Sequence, residues 1–192
     1  MHPRHLRYSG VPLKRPARPA APTDDDTDLT PLRVIGVDPG LANLGFGIVE
    51  EVGREARYVA GEVVTTSSRT PQPERLLRLR HEFRSLLERH QPHVVAIEGQ
   101  FFHHQRDVAF KVGQAVGVVL VTAAEAGLPV HEYGPMQVKQ ALVGTGRAGK
   151  DQVAFMVRAL LKLQATPTNS HMADALAIAL THIQSRRILA HK

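Results

Sequence analysis

From Arg33 onward the 192-residue chain alternates short apolar runs with polar punctuation. Arg33–Asp38, Gly45–Glu50 and Arg57–Thr65 are apolar stretches joined by short turns, which predicts three strands. Pro73–His90 sets Leu76, Leu79, Phe83, Leu86 and Leu87 on one stripe at helical spacing. His93–Glu98 ("HVVAIE") is almost wholly apolar, as a strand buried on both faces requires. Asp107–Ala126 reads as a helix rich in Ala, Val and Gly, and Leu128–Tyr133 as a strand. Pro135–Val143, Lys150–Leu163 and Ser170–Arg187 read as helices. The order βββαβαβααα is an antiparallel meander followed by α/β alternation. It predicts an α/β fold, a mixed five-stranded sheet with helices on both faces.

Residues 1–31 carry no such period. They hold Arg4, Arg7, Lys14, Arg15 and Arg18, then Asp24, Asp25, Asp26 and Asp28, with prolines throughout. This composition predicts a disordered tail, most simply a dispensable extension. Residues 32–188 then form one domain, followed by a short tail over 189–192. The net charge is +6; five cations and four anions lie in the tail, so +5 remains on the body. The basic character belongs to the fold and weakly suggests a polyanionic partner. The hydrophobic share of 43% is normal for a globular protein, and no run of 18 apolar residues predicts a membrane span. The N-terminus lacks the apolar core of a secretory signal. With no cysteine, disulfides and Cys-type zinc sites are excluded. The expected location is the cytoplasm.

Chemistry enters where apolar strands end in acid. "VIGVDPG" closes on Asp38 and "VVAIEG" on Glu98. A carboxylate there costs several kcal/mol to desolvate unless a positive charge compensates it. No Lys or Arg lies between Arg33 and Arg54, so compensation for Asp38 comes from a distant segment or a metal. Sites in open α/β sheets form at such carboxyl ends. Asp174, in "NSHMADALAIALTH", opens an apolar helix, with His171 one turn earlier on the same side. Taken alone, Asp174 is explained by the helix dipole and Glu98 by a nearby Arg. Three acids on mainly apolar elements favour convergence instead. Their charge of about −3 suits two divalent cations ~3.5–4 Å apart, an arrangement fitted to in-line displacement at phosphorus.

Basic residues supply the counterpart. The segment 139–162 holds Lys139, Arg147, Lys150, Arg158 and Lys162 against Asp151 alone, a strip able to face phosphates. "GTGRAGKD" (144–151) matches G-x-G-x-x-G, yet a nucleotide site needs a preceding strand, and a helix is predicted there. Its glycines better allow the backbone and Lys150 to approach a DNA phosphate. His103 and His104 are adjacent, which disfavours convergence on one ion and favours loop contacts to DNA.

"IGVDPGLANLGFGIV", "AIEGQFF", "KVGQAVGVV", "YGPMQVKQALVGTGRAGKDQV" and "HMADALAIALTH" together resemble the RuvC-type Holliday-junction resolvases of bacteria, over about residues 33–187. The resemblance implies a ribonuclease-H-like fold and a homodimer. It also implies an endonuclease of recombination and repair that nicks opposed strands of four-way junction DNA and leaves 5′-phosphates. Two Mg²⁺ per subunit are implied, with Mn²⁺ able to substitute, and RuvA and RuvB as branch-migration partners. Carried over residue by residue, the catalytic, metal-holding positions fall on Asp38, Glu98, Asp174 and His171. Some family members have Asp at the last of these; His keeps a ligand but changes its charge and softness. Phe101 takes the place of the aromatic at the junction centre, where stacking is worth ~1–3 kcal/mol. Lys139 and Lys150 take the places of basic residues near the cleaved strand, and Arg147 joins their strip. A junction binder without catalysis is the main alternative, but Asp38, Glu98 and Asp174 would only repel its DNA. Another ribonuclease-H-like nuclease is opposed by the junction-type motifs alone. The helix carrying "KVGQAVGVVLV" is open to either dimer contact or packing on its own sheet.

Overall fold

The first apolar run becomes β1 (Leu32–Asp38), the middle strand of a five-stranded sheet, in a computed structural model that describes residues 31–99 and 106–190. β1 pairs antiparallel with β2 (Asn43–Val52), and β2 antiparallel with β3 (Glu55–Thr65). On its other side β1 runs parallel to β4 (Val94–Glu98), and β4 parallel to β5 (Val130–Tyr133). The sheet is therefore mixed, in the order β3-β2-β1-β4-β5. The β2–β3 hairpin is longer than the apolar pattern suggests. Gly53, at φ +59°, closes a two-residue turn between the paired Val52 and Glu55. The charged residues flanking that turn hide the strand ends in the sequence.

Period-two alternation sorts the strand side chains between two layers. Ile35, Val37, Val95 and Ile97 pack with Leu79, Phe83 and Leu86 of α1 (Gln72–His90) and Ala115, Val119 and Ala123 of α2 (Arg106–Glu125). Phe46 stacks on Phe83 with ring centroids 5.3 Å apart. Val34, Val94 and Ala96 face the opposite way, toward α3 (Pro135–Val143), α4 (Lys150–Leu160) and α5 (Ser170–Ala190). Helices cover both faces, as the element order predicts. α4 stops short of Leu163 because the chain turns left-handed at Lys162, φ +52°.

α5 lies across the sheet and is buried on every side between Ala175 and Ile183. Its closeness depends on missing side chains. A Cβ on Gly36 of β1 would overlap the Ala175 carbonyl, and one on Gly45 of β2 would overlap that of His171. The backbone of α5 therefore rests directly on β1 and β2, and its N-terminal turn reaches the end of β1.

Candidate active site

Asp38 is the last residue of β1 and shares the α5-facing side with Val34 and Gly36. On the parallel neighbour, Glu98 lies one residue beyond the Val37–Ile97 pair and shares the side of Val94 and Ala96. Two strands thus deliver two carboxylates to one edge of the sheet. α5 delivers the others. Asn169 starts this helix by accepting hydrogen bonds on Oδ1 from the backbone N–H of His171 (2.9 Å) and Met172 (3.4 Å). With its first turn fixed on Gly45, His171 places Nδ1 2.7 Å from Asp38 Oδ2. A hydrogen bond to a carboxylate fixes the ring proton on Nδ1. Asp174, one turn later, faces the same space, with Lys150 Nζ 4.0 Å from its Oδ2.

The electrostatics follow from this crowding. Burial raises the Asp38 carboxyl above its usual range, and Asp174 pushes it further, while the His171 hydrogen bond pulls it back. Burial, then Asp38 and Asp174, push Glu98 up to about 7, with only Lys150 opposing. Burial also raises Asp174, against Lys150 and His171. Three acids therefore share a site in which burial and mutual repulsion outweigh the opposing pull of Lys150 and the His171 ring. Among the described residues, no three of His, Asp and Glu are drawn closely enough to clasp one ion as they stand. A half-buried, oxygen-rich donor set suits a hard divalent cation, and Asp38, Glu98, Asp174 and the free Nε2 of His171 are the groups able to hold one.

These residues line a cleft of about 600 Å³ across the carboxyl edge of β1 and β4. Lys139 of α3 and Lys150, the first residue of α4, line it as well. Arg147 does not: it is exposed in the α3–α4 turn, outside the cleft lining. Phe101, His103 and His104 lie outside the described residues. The glycine-rich segment is an α3–α4 connection. Gly144, at φ +82°, caps α3, and Gly149 precedes α4, so no strand leads into it. Two cleft cations escaped the sequence reading, Arg75 of α1 and Lys111 of α2. Lys111 had a signal, as the lone Lys or Arg between Asp107 and Glu125 of an apolar helix. Arg75 had none, being one of five arginines on α1.

Residues 34–182 match the family model described as crossover junction endodeoxyribonuclease RuvC. The protein of that name from Thermus thermophilus is 53% identical over 152 residues, covering 78% of this chain and 92% of its own length. That of Desulfitobacterium hafniense is 49% identical over 156 residues, covering 81% and 94%. Among solved structures, T. thermophilus RuvC in complex with Holliday junction substrate superposes with a TM-score of 0.80 at 51% identity, covering 83% of this chain and 97% of that one. The yeast mitochondrial Holliday junction resolvase Ydc2 superposes at 0.62 with 17% identity, over 86% and 84%, a likeness of fold.

Proposed function

The chain belongs to the crossover junction endodeoxyribonuclease RuvC family, and from that premise we propose that its cleft resolves four-way DNA junctions by paired nicks in opposed strands. The observation that carries this reading is the convergence of Asp38, Glu98 and Asp174 on one basic-rimmed cleft. A protein that only bound DNA would gain nothing but repulsion from them.

Asp38, Glu98, Asp174 and Nε2 of His171 would hold two Mg²⁺ per subunit, with Mn²⁺ able to replace them. Bound there, the ions supply Lewis-acid polarisation for attack by water and departure of the 3′ oxygen, leaving a 5′-phosphate. The protein's own groups orient and charge the site. Asp38 holds the His171 ring through Nδ1–H, so that Nε2 presents its lone pair. Lys150 and Lys139 draw the phosphate backbone into the cleft. By family resemblance Phe101 stacks at the junction centre; Arg147, exposed in the basic strip, touches DNA backbone beyond the cleft.

Two matched nicks require two matched sites, so the active form is a twofold dimer. α2 supports this reading. Between Asp107 and Glu125, Val112, Ala115, Val119, Thr122 and Ala123 alone are buried within the chain, although the helix is long and apolar enough to cross a membrane. Its open side carries Phe110 and Val121, 68% and 57% exposed, and Gly113 and Gly117, where a Cβ would meet nothing. A partner subunit on this side would bury that stripe. On the same family grounds the protein acts in the cytoplasm with RuvA and RuvB.

Asp38→Asn and Glu98→Gln should abolish nicking of a synthetic junction while junction binding survives, because the cations carry binding. Loss of junction binding by a folded Asp38→Asn protein would remove the catalytic assignment.

A further inference from the structure

The cleft has two walls, and the motifs describe only one. α3, α4 and α5 supply Lys139, Lys150, His171 and Asp174; α1 and α2 supply Arg75 and Lys111 on the other side of the sheet edge. We propose that Arg75 and Lys111 form a second phosphate grip, so that the cleaved strand is held by its backbone on both sides of the scissile phosphodiester. The proposal rests on the reading of this cleft as the nicking site.

Arg75 differs from the other cations of α1 that have found partners. Arg80 is paired with Glu125, Arg84 with Glu88 and Arg89 with Glu62. Arg75 has no carboxylate within 4.0 Å among the described residues. Its Nε–H donates to Thr66 Oγ1 at 2.8 Å, and that hydroxyl donates to the Leu41 carbonyl. Thr66 N–H also donates to the Ala42 carbonyl at 2.9 Å. The half-buried guanidinium is thereby fixed to the turn that follows Asp38, so its distance from the first carboxylate is set by local structure. A guanidinium held through Nε keeps its Nη groups for a second acceptor, and phosphate matches that fork. Lys111 is exposed and likewise without an ion-pair partner among the described residues. The Gln72–Gln114 side-chain hydrogen bond ties α1 to α2, so the two cations belong to one wall.

Charge explains why a second wall is needed. A DNA strand crossing three carboxylates meets repulsion on both sides of the reacting phosphate. Lys139 and Lys150 offset it on one side only. Arg75 and Lys111 line the opposite wall, where this grip would meet the strand beyond the reacting phosphate.

The test is the salt dependence of junction binding by the full chain in an Asp38→Asn background, which prevents cutting. Removing one cation that neutralises a phosphate flattens the slope of log K against log[salt] by about one. Arg75→Ala and Lys111→Ala should each flatten the slope by that amount and weaken binding about five- to tenfold at about 0.1 M salt. Arg75→Lys, which keeps the charge but loses the Thr66 anchor, should retain the slope. If Arg75 only braces the turn, Arg75→Ala will lower the melting temperature and leave the slope unchanged. Lys111→Ala, at an exposed position with no partner to lose, tests the wall free of that complication. Unchanged slopes in both alanine variants would overturn the proposal. A parent protein that fails to prefer junction over duplex would instead overturn the functional reading beneath it.

Discussion

Glu98 carries the clearest energetic signature of the site. Its carboxyl is pushed up to about 7 by burial and by Asp38 and Asp174. The folded chain therefore binds that proton more tightly than the unfolded chain, whose carboxyl sits near 4.5. Stability from this group is present below about 4.5 and is lost as pH rises through 7. Glu98→Gln should raise the melting temperature of the metal-free protein by several degrees at pH 8 and by little at pH 5. Mg²⁺ should then stabilise the wild type more than the variant at pH 8, since binding to the folded state alone adds stability. A variant no more stable than wild type at pH 8 would contradict the like-charge account. His182 acts in the opposite sense. Burial, His131 and Arg186 lower its pKa to about 4, and its Nδ1 shares a 2.8 Å hydrogen bond with Tyr133 Oη. Its contribution is lost as pH falls from about 6.5 to 4, so both wild type and Glu98→Gln should share that acid limb. At this scale Asp38 and Glu98 were legible, because an apolar strand that ends in acid is an anomaly visible in a few letters. Lys150 was legible as part of the basic strip over 139–162, but its place beside Asp174 was not, because that pairing joins the starts of two helices far apart in the sequence. Arg75 was not legible, because one arginine among five on α1 becomes special only when the fold turns it into the cleft and seats it on Thr66.

The elements were legible where apolar period and turn chemistry agree. α3 runs from Pro135 to Val143 as read, with Pro at its start and Gly144 at its end. They were misjudged where a single backbone angle decides, as at Gly53 and Lys162. The seating of α5 was hidden for another reason. "LGFGIV" reads as a glycine-weakened strand, and only the helix packed on it shows that Gly45 makes room for the His171 backbone. Gly45→Ala should therefore act on the site without touching a ligand. Forcing a methyl into that space costs ~1–3 kcal/mol and lifts the turn that carries His171 and Asp174. Junction cleavage should drop at least tenfold, with a measurable loss in thermal stability. Full activity and unchanged stability in Gly45→Ala would mean that α5 does not depend on this close approach.

For the whole molecule, the sequence left the role of α2 undecided, since an apolar helix reads the same whether it covers a sheet or a partner. The structure separates its sides. Ala115, Val119 and Ala123 are buried in the chain's own core, while Phe110, Gly113, Gly117 and Val121 are open. Gly117→Glu puts a charge on the open stripe without disturbing that core. Sedimentation should show a folded monomer with sharply reduced paired nicking; a variant still dimeric would place the interface elsewhere. The site-level and molecule-level claims meet in one assay. Full-length protein is given a synthetic four-way junction and a linear duplex of the same sequence, each with and without Mg²⁺. The account predicts paired, symmetric nicks in opposed junction strands with Mg²⁺, none without it, and little or no cutting of the duplex. Equal cutting of junction and duplex, or no Mg²⁺-dependent cutting of the junction, would contradict it.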